Sequence, residues 1–182
     1  EHVARKLKAS GIDEAVVNVH HFADKVEAWI GEQDVMKMEV SDERKMLLET
    51  GGAVLHARRY LEGCGHFLIH NVDIMSNADL KWFEAQVREG ALATLLVSNR
   101  PTKRFLLFEP GTMRLVGWHN TDTGDYSLAD KSLKVDDCLA YGFSGIHIMS
   151  DKVFALMDEY VDERGLTVDP DAGVRFPIMS FY

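Results

Sequence analysis

Long apolar runs are missing from this chain, and no stretch approaches the roughly 20 residues needed to span a bilayer. No membrane-spanning helix is therefore expected within these residues, and no secretory signal is visible in them. Cysteine is scarce: Cys64 and Cys138 fit neither a disulfide framework nor a zinc site, which points to a reducing, cytoplasmic setting. None of the eight histidines stands in a His-x-x-x-His or His/Cys metal spacing. No Ser/His/Asp or Cys/His constellation suggests nucleophilic catalysis. Positive charge is also short, with 20 Lys and Arg against 29 Asp and Glu and a formal net charge of −9. Nucleic acid is an unsuitable partner, because a phosphate backbone demands a basic stripe. Internal repeats and low-complexity tracts are absent.

What is present suits one globular domain over residues 1–182, at 46% hydrophobic residues. Helix and strand signals alternate, which argues for an α/β fold. Val3 and Leu7 mark a first helix ending at Gly11, and Ile12 to Val19 reads as a buried parallel strand. Phe22, Val26 and Trp29-Ile30 share a helical face, and Val35 to Val40 alternates like a strand near a sheet edge. Ser41 to Lys45 reads as a solvated loop. Further helices are expected over Ala53 to Leu61, from Ala78 to Glu89 behind an Asn77 cap, and over Asp151 to Glu163. Further strands are expected over His66 to His70, Leu92 to Ser98 and Tyr141 to Met149. Phe105 to Trp118 reads as a hairpin turning at Pro110-Gly111, and Asn120 to Asp137 as an extended polar loop.

Two segments carry the functional signal. Leu48-Glu49-Thr50-Gly51-Gly52 is a glycine-rich turn opening a helix. About twenty residues later, the apolar strand Phe67-Leu68-Ile69-His70 runs into Asn71-Val72-Asp73. A tight backbone bend paired with a strand-end acid is how an α/β sheet holds a nucleotide and its metal. An acidic protein can do this through backbone N–H groups, a few cations and magnesium. Each piece also has a plainer reading. Asp73 could be a helix cap or loop acid, Gly51-Gly52 an ordinary turn, and Asn71 a residue satisfying local backbone. Ser144-Gly145 interrupts an apolar strand and could be a ligand approach or a bulge. His70, beside Asn71, is the histidine best placed to approach a base or phosphate.

The order of these segments resembles the sugar-1-phosphate nucleotidyltransferases, also called NDP-sugar pyrophosphorylases, and most closely their small amino-sugar uridylyltransferase branch. The matching elements are Leu48–Gly52, Asn71-Val72-Asp73 and Phe143-Ser144-Gly145-Ile146, and the likeness runs from the first helix to about Met157. It implies a Rossmann-like, GT-A-like three-layer domain with a mixed, mostly parallel sheet. It implies transfer of a nucleotidyl group, uridylyl from UTP by preference, to a sugar 1-phosphate with release of pyrophosphate; a homo-oligomer is compatible with it. Asp73 would be the catalytic residue and ligand of Mg²⁺. Glu49, Thr50, Gly51, Gly52 and Asn71 would bind the nucleotide, and Ser144 and Gly145 the sugar. Guanylyl or cytidylyl transfer, or a non-catalytic nucleotide- or sugar-binding module, would use the same residues.

The chain departs from the family in three places. Its Asn-Gly-Asp is Asn71-Val72-Asp73 here, and a β-branched side chain at that step would narrow the space beside the nucleotide. The opening Gly-x-Gly-Thr-Arg with its following Pro-Lys has no counterpart, nor has the later Trp-x-Asp-x-Gly-Thr with the second metal aspartate. The resemblance thus implies that these 182 residues are the interior of a longer protein, incomplete at both ends.

Overall fold

The β-branched run after Gly11 forms strand β1 (Glu14–Val19) in the computed structural model, which describes residues Glu1–Tyr182. The chain falls into two compact units. One comprises Glu1–Phe67, Met75–Leu92 and Met149–Tyr182; the other comprises Leu68–Ile74 and Ala93–Ile148.

In the first unit, helix α1 (His2–Ala9) stops where Gly11 adopts φ +90°, a left-handed conformation that glycine takes without steric cost. Strand β1 feeds helix α2 (Ala23–Glu32), which returns the chain to β2 (Lys37–Asp42). The two strands pair in parallel, from Glu14 opposite Lys37 to Val19 opposite Asp42. A parallel pair needs a crossover of this kind, and the helix supplies it. The Gln33 side chain closes the turn into β2, accepting from the Val35 and Met36 N–H groups and donating to the Met36 carbonyl. Helices α3 (Glu49–His56) and α4 (Arg58–Leu61) follow, then strand β3 (His66–His70). Helix α5 (Leu80–Glu84) is shorter than the expected 78–89. Asp79, not Asn77, caps it, accepting from the Lys81 and Trp82 N–H groups. Leu80 and Phe83 are its buried residues, and after Glu84 the chain leaves the helix in turns although Val87, half-buried, keeps the helical spacing.

Helix α6 (Val153–Glu163) buries Val153, Phe154, Met157 and Val161, the one-face spacing expected of it. Phe154 stacks on Phe67 at 5.7 Å between ring centroids. The chain then forms a small hairpin, β9 (Val168–Asp169) with β10 (Gly173–Val174), and ends in helix α7 (Ile178–Phe181).

The second unit carries most of a six-stranded sheet. Its members are β4 (Ala93–Ser98), β5 (Arg104–Phe108), β6 (Leu115–Asn120), β7 (Tyr126–Leu128) and β8 (Leu139–Ser150), with the end of β3. The order is β3-β8-β5-β6-β7, and β4 also pairs with β8. The fold is thus mixed α/β, but the expected mostly parallel sheet is not what forms. Pairs β5–β6, β5–β8 and β6–β7 are antiparallel, so the sheet is mostly antiparallel. Connection length accounts for the β5–β6 and β6–β7 pairs, since turns too short for a crossover, such as the Pro110-Gly111 hairpin, can only join antiparallel neighbours; β5 and β8 come together from distant parts of the chain. The expected polar loop over residues 120–137 likewise contains β7 and a short 3₁₀ turn, Val135–Asp137. Asn120 and Asp125 close the β6–β7 connection by a backbone hydrogen bond. No helix is long and apolar enough to cross a membrane.

His147 on β8 is buried to 1% exposure and stacked on Phe143. Burial pushes its pKa down to about 4, against an unfolded value near 6.5. Because the unfolded chain then binds more protons below pH 6.5, stability must fall as pH drops from about 6.5 to about 4. Urea unfolding at pH 7 and pH 5 should show the wild type losing about 2 kcal/mol more than His147→Phe. Equal losses in the two proteins would show that folded His147 takes up its proton as readily as it does in the unfolded chain, so that burial does not depress its pKa.

Candidate functional site

The glycine turn lies in the first unit, where α3 begins. Glu49 is its strained member, a non-glycine residue at φ +60°. The Arg175 guanidinium secures it, with Nε and Nη2 at 2.8 and 2.7 Å from Glu49 Oε1. Gly51 and Gly52 do permit a close backbone approach, and the partner is the chain's own C-terminal segment. Both amide N–H groups donate to the Phe176 carbonyl, at 3.0 and 3.1 Å. A Cβ on Gly51 would strike the Phe176 ring, and one on Gly52 would overlap the Val174 carbonyl oxygen. Thr50 is exposed, and its hydroxyl makes no hydrogen bond within the protein. Within the turn, the Thr50 side chain is therefore the open polar group.

A buried carboxylate holds this turn from behind. Glu43 is only 4% exposed, although it falls in a segment that reads as a solvated loop. Its Oε1 accepts from Asn18 Nδ2 at 2.8 Å, and its Oε2 from the Leu48 N–H at 3.2 Å. His20 Nδ1 lies 2.7 Å from the Glu43 carbonyl oxygen. A carbonyl only accepts, so the His20 proton sits on Nδ1. The network Asn18–Glu43–Leu48 thus ties the end of β1 to the first residue of the turn.

Asn71, Asp73, Ser144 and Gly145 all lie in the second unit. The Asn71 N–H donates to the Gly145 carbonyl at 3.1 Å, and its own carbonyl oxygen is 2.7 Å from His70 Nδ1. Gly145 has φ +71°, and the Asn71 side-chain amide sits 2.9 Å from where its Cβ would be. This glycine marks a sharp bend in β8. Phe143 and His147 would be about 13 Å apart along a straight strand, yet their rings stack at 5.4 Å. Ser144 stands at the bend, half-buried. Asp73 follows Asn71 in an exposed turn and makes no hydrogen bond or ion pair. No group of three or more His, Cys, Asp or Glu side chains is arranged to hold a metal ion.

Sequence reasoning finds the turn, Asn71, Asp73 and the Ser144-Gly145 interruption, but misses the residues that fix them. Glu43, Arg175, Val174 and Phe176 carry no local signal, since their partners are set by tertiary packing. A second glycine on β8 is also informative. Gly142 leaves room for Arg100, whose Nη2 donates to the Phe143 carbonyl at 3.0 Å.

The fold so described is shared with solved structures. The HddC structure from Yersinia pseudotuberculosis superimposes with a TM-score of 0.65 at 17% identity, over 98% of this chain and 68% of that one. The inositol-1-phosphate CTP transferase of T. maritima superimposes with a TM-score of 0.55 at 16% identity, over 86% of this chain and 61% of that one. No protein-family model matches. In sequence, the chain is 32% identical over 165 residues to the N-acetylmuramate alpha-1-phosphate uridylyltransferase of Caulobacter vibrioides. That match takes in 85% of this chain and 63% of the relative's length. The sequence match is thus to an enzyme of the kind its motifs resemble, and the chain spans less than two thirds of that relative's length.

Two substitutions test how the glycine turn is held. Glu43→Ala removes a buried acceptor from Asn18 and Leu48 and should cost about 2 kcal/mol in urea unfolding. Gly52→Ala forces a methyl group against the Val174 carbonyl and should cost about 3 kcal/mol. A Gly52→Ala protein as stable as wild type would mean that Val174 does not pack there.

Proposed function

We propose that this chain is part of an enzyme transferring a uridylyl group from UTP to a sugar 1-phosphate, with release of pyrophosphate, and that the product is an NDP-sugar for cell-wall or polysaccharide synthesis in the cytoplasm. The proposal includes a Rossmann-like, GT-A-like three-layer architecture for the complete domain. The observation that carries it is Asp73: a strand-end carboxylate left exposed and unpaired, beside an asparagine that grips the bend of β8. The 32% identity to a uridylyltransferase supplies the direction of the reading.

Mg²⁺ fits such a carboxylate, because it is commonly held by one or two acidic side chains together with substrate phosphates and water. Bound there, it would neutralise charge on the transferring phosphoryl group. The chain's own residues would act by placement. Thr50 and the backbone of Glu49–Gly52 would border the base, and Asn71 would hold the loop that carries Asp73. Ser144 and Gly145 would face the sugar. The sugar phosphate oxygen would attack the α-phosphorus in line as the bond to pyrophosphate breaks, with no covalent enzyme intermediate. Cytidylyl transfer is the second reading, favoured by the fold shared with a CTP transferase.

Thermal unfolding with each of four nucleoside triphosphates, with and without Mg²⁺, tests the proposal. UTP should raise the midpoint most, and more with Mg²⁺ than without. Asp73→Asn should remove the Mg²⁺-dependent increment and keep the rest. A larger shift with CTP would reassign the base. An increment untouched by Asp73→Asn would overturn the metal role.

A further inference from the structure

Arg100 follows β4, and its side chain lies over β8. Two features show that this placement is built. Gly142 has no positive φ and needs no glycine for its backbone, yet a Cβ there would sit 3.0 Å from Arg100 Cγ and 3.1 Å from Nε. A strand-interior glycine of this kind makes room for a close neighbour, and here the neighbour is the arginine stem. Arg100 Nη2 also donates to the Phe143 carbonyl, immediately before Ser144-Gly145.

The rest of the guanidinium is uncommitted. No carboxylate lies within ion-pair distance of Arg100, in a chain with nine more acidic than basic side chains. Its one hydrogen bond in the protein leaves four N–H groups open on an exposed side chain. Fixing a long side chain costs rotamer entropy, and an anchored fork with open donors is pre-organised for a planar or bidentate oxyanion. A structural arginine would spend that fork on a carboxylate, as Arg58 does on Glu62 and Asp158.

We propose that Arg100, laid across Gly142 and anchored on the Phe143 carbonyl, binds the phosphate of a sugar 1-phosphate whose sugar faces Ser144-Gly145. This assignment rests on the function proposed above. Asn71 grips β8 at Gly145 and Arg100 grips it at Phe143, so the two flank the bend where Ser144 stands. The sugar hydroxyls would meet polar groups at the bend, and the phosphate would meet the uncommitted guanidinium anchored beside it.

Isothermal titration of the wild type, Arg100→Gln, Arg100→Lys and Gly142→Ala tests this, with N-acetylmuramate 1-phosphate, the free sugar, inorganic phosphate and UTP as probes. Arg100→Gln should weaken the sugar 1-phosphate about tenfold or more, the loss expected for a charge-assisted bond. Free-sugar and UTP affinity should be unchanged. Gly142→Ala should weaken the sugar 1-phosphate selectively but by less, because its methyl group presses on the arginine stem at 3.0 and 3.1 Å and keeps the charge. Arg100→Lys should retain part of the affinity. Undiminished sugar 1-phosphate binding by Arg100→Gln, with UTP still bound, would overturn the inference and leave the proposed function standing. Equal losses for free sugar and sugar 1-phosphate would reduce Arg100 to a strand anchor. A loss confined to UTP or inorganic phosphate would move the cation to another ligand, and either result overturns the inference. A wild type that binds neither sugar 1-phosphate nor UTP would overturn the proposed function and this inference together.

Discussion

Two amide hydrogens that share one carbonyl, those of Gly51 and Gly52 on Phe176, determine how the first unit is put together. The arrangement requires two missing methyl groups, since either Cβ would collide with the Val174–Phe176 segment. It also requires a turn whose preceding residues stay in place, and this is where buried Glu43 and the Arg175–Glu49 pair act. The Glu43 carboxylate takes the Leu48 N–H, and Arg175 locks the one residue of the turn with an unfavourable backbone angle. A left-handed non-glycine residue costs on the order of 1–3 kcal/mol, so it persists only where its surroundings over-determine it. Here they do, through contacts from residues more than 120 positions away.

The second unit uses the same device at a different place. Gly145 lets β8 bend, and Asn71 occupies the space that a side chain would have taken. One bend therefore fixes two things: the direction of β8 beyond Ser144, and the position of the loop leading to Asp73. Because His147 is carried round the bend into the apolar interior against Phe143, the bend is coupled to burial as well as to hydrogen bonding.

How much of this was legible in the sequence follows from the range of each signal. The β1–α2–β2 unit, the Pro110-Gly111 hairpin and the apolar face of α6 are written in local periodicity and turn chemistry, and they formed as read. The dominant sheet direction was not legible. The β5–β6 hairpin was visible, but the rest depends on which distant strands come together, and β5 and β8 declare that only through their pairing. Glu43 was missed for the opposite reason. Ser41 to Lys45 is as polar as any exposed loop, and nothing local shows that Asn18 and Leu48 will enclose one of its carboxylates. At the glycine turn the sequence reveals that backbone must come close but leaves open whose backbone it is. The structure answers with the chain's own Phe176. The Asn71–Gly145 contact joins two segments that the sequence singles out separately, and only the fold brings them together.

Val72 gains a different meaning from this geometry. A valine where the resembled Asn-Gly-Asp motif has glycine would be damaging if the backbone there were left-handed, but Val72 has no positive φ. Its side chain is 80% exposed and displaces no protein atom. The conformation of the Asn71–Asp73 loop is set from outside it, by the Asn71 bond to Gly145, and does not depend on glycine's freedom at the middle position. The substitution therefore leaves the loop and its unpaired carboxylate intact. What it changes is the surface next to Asp73, which gains a branched apolar side chain facing solvent. Val72 therefore bears on the exposed surface of this loop and not on the loop's conformation.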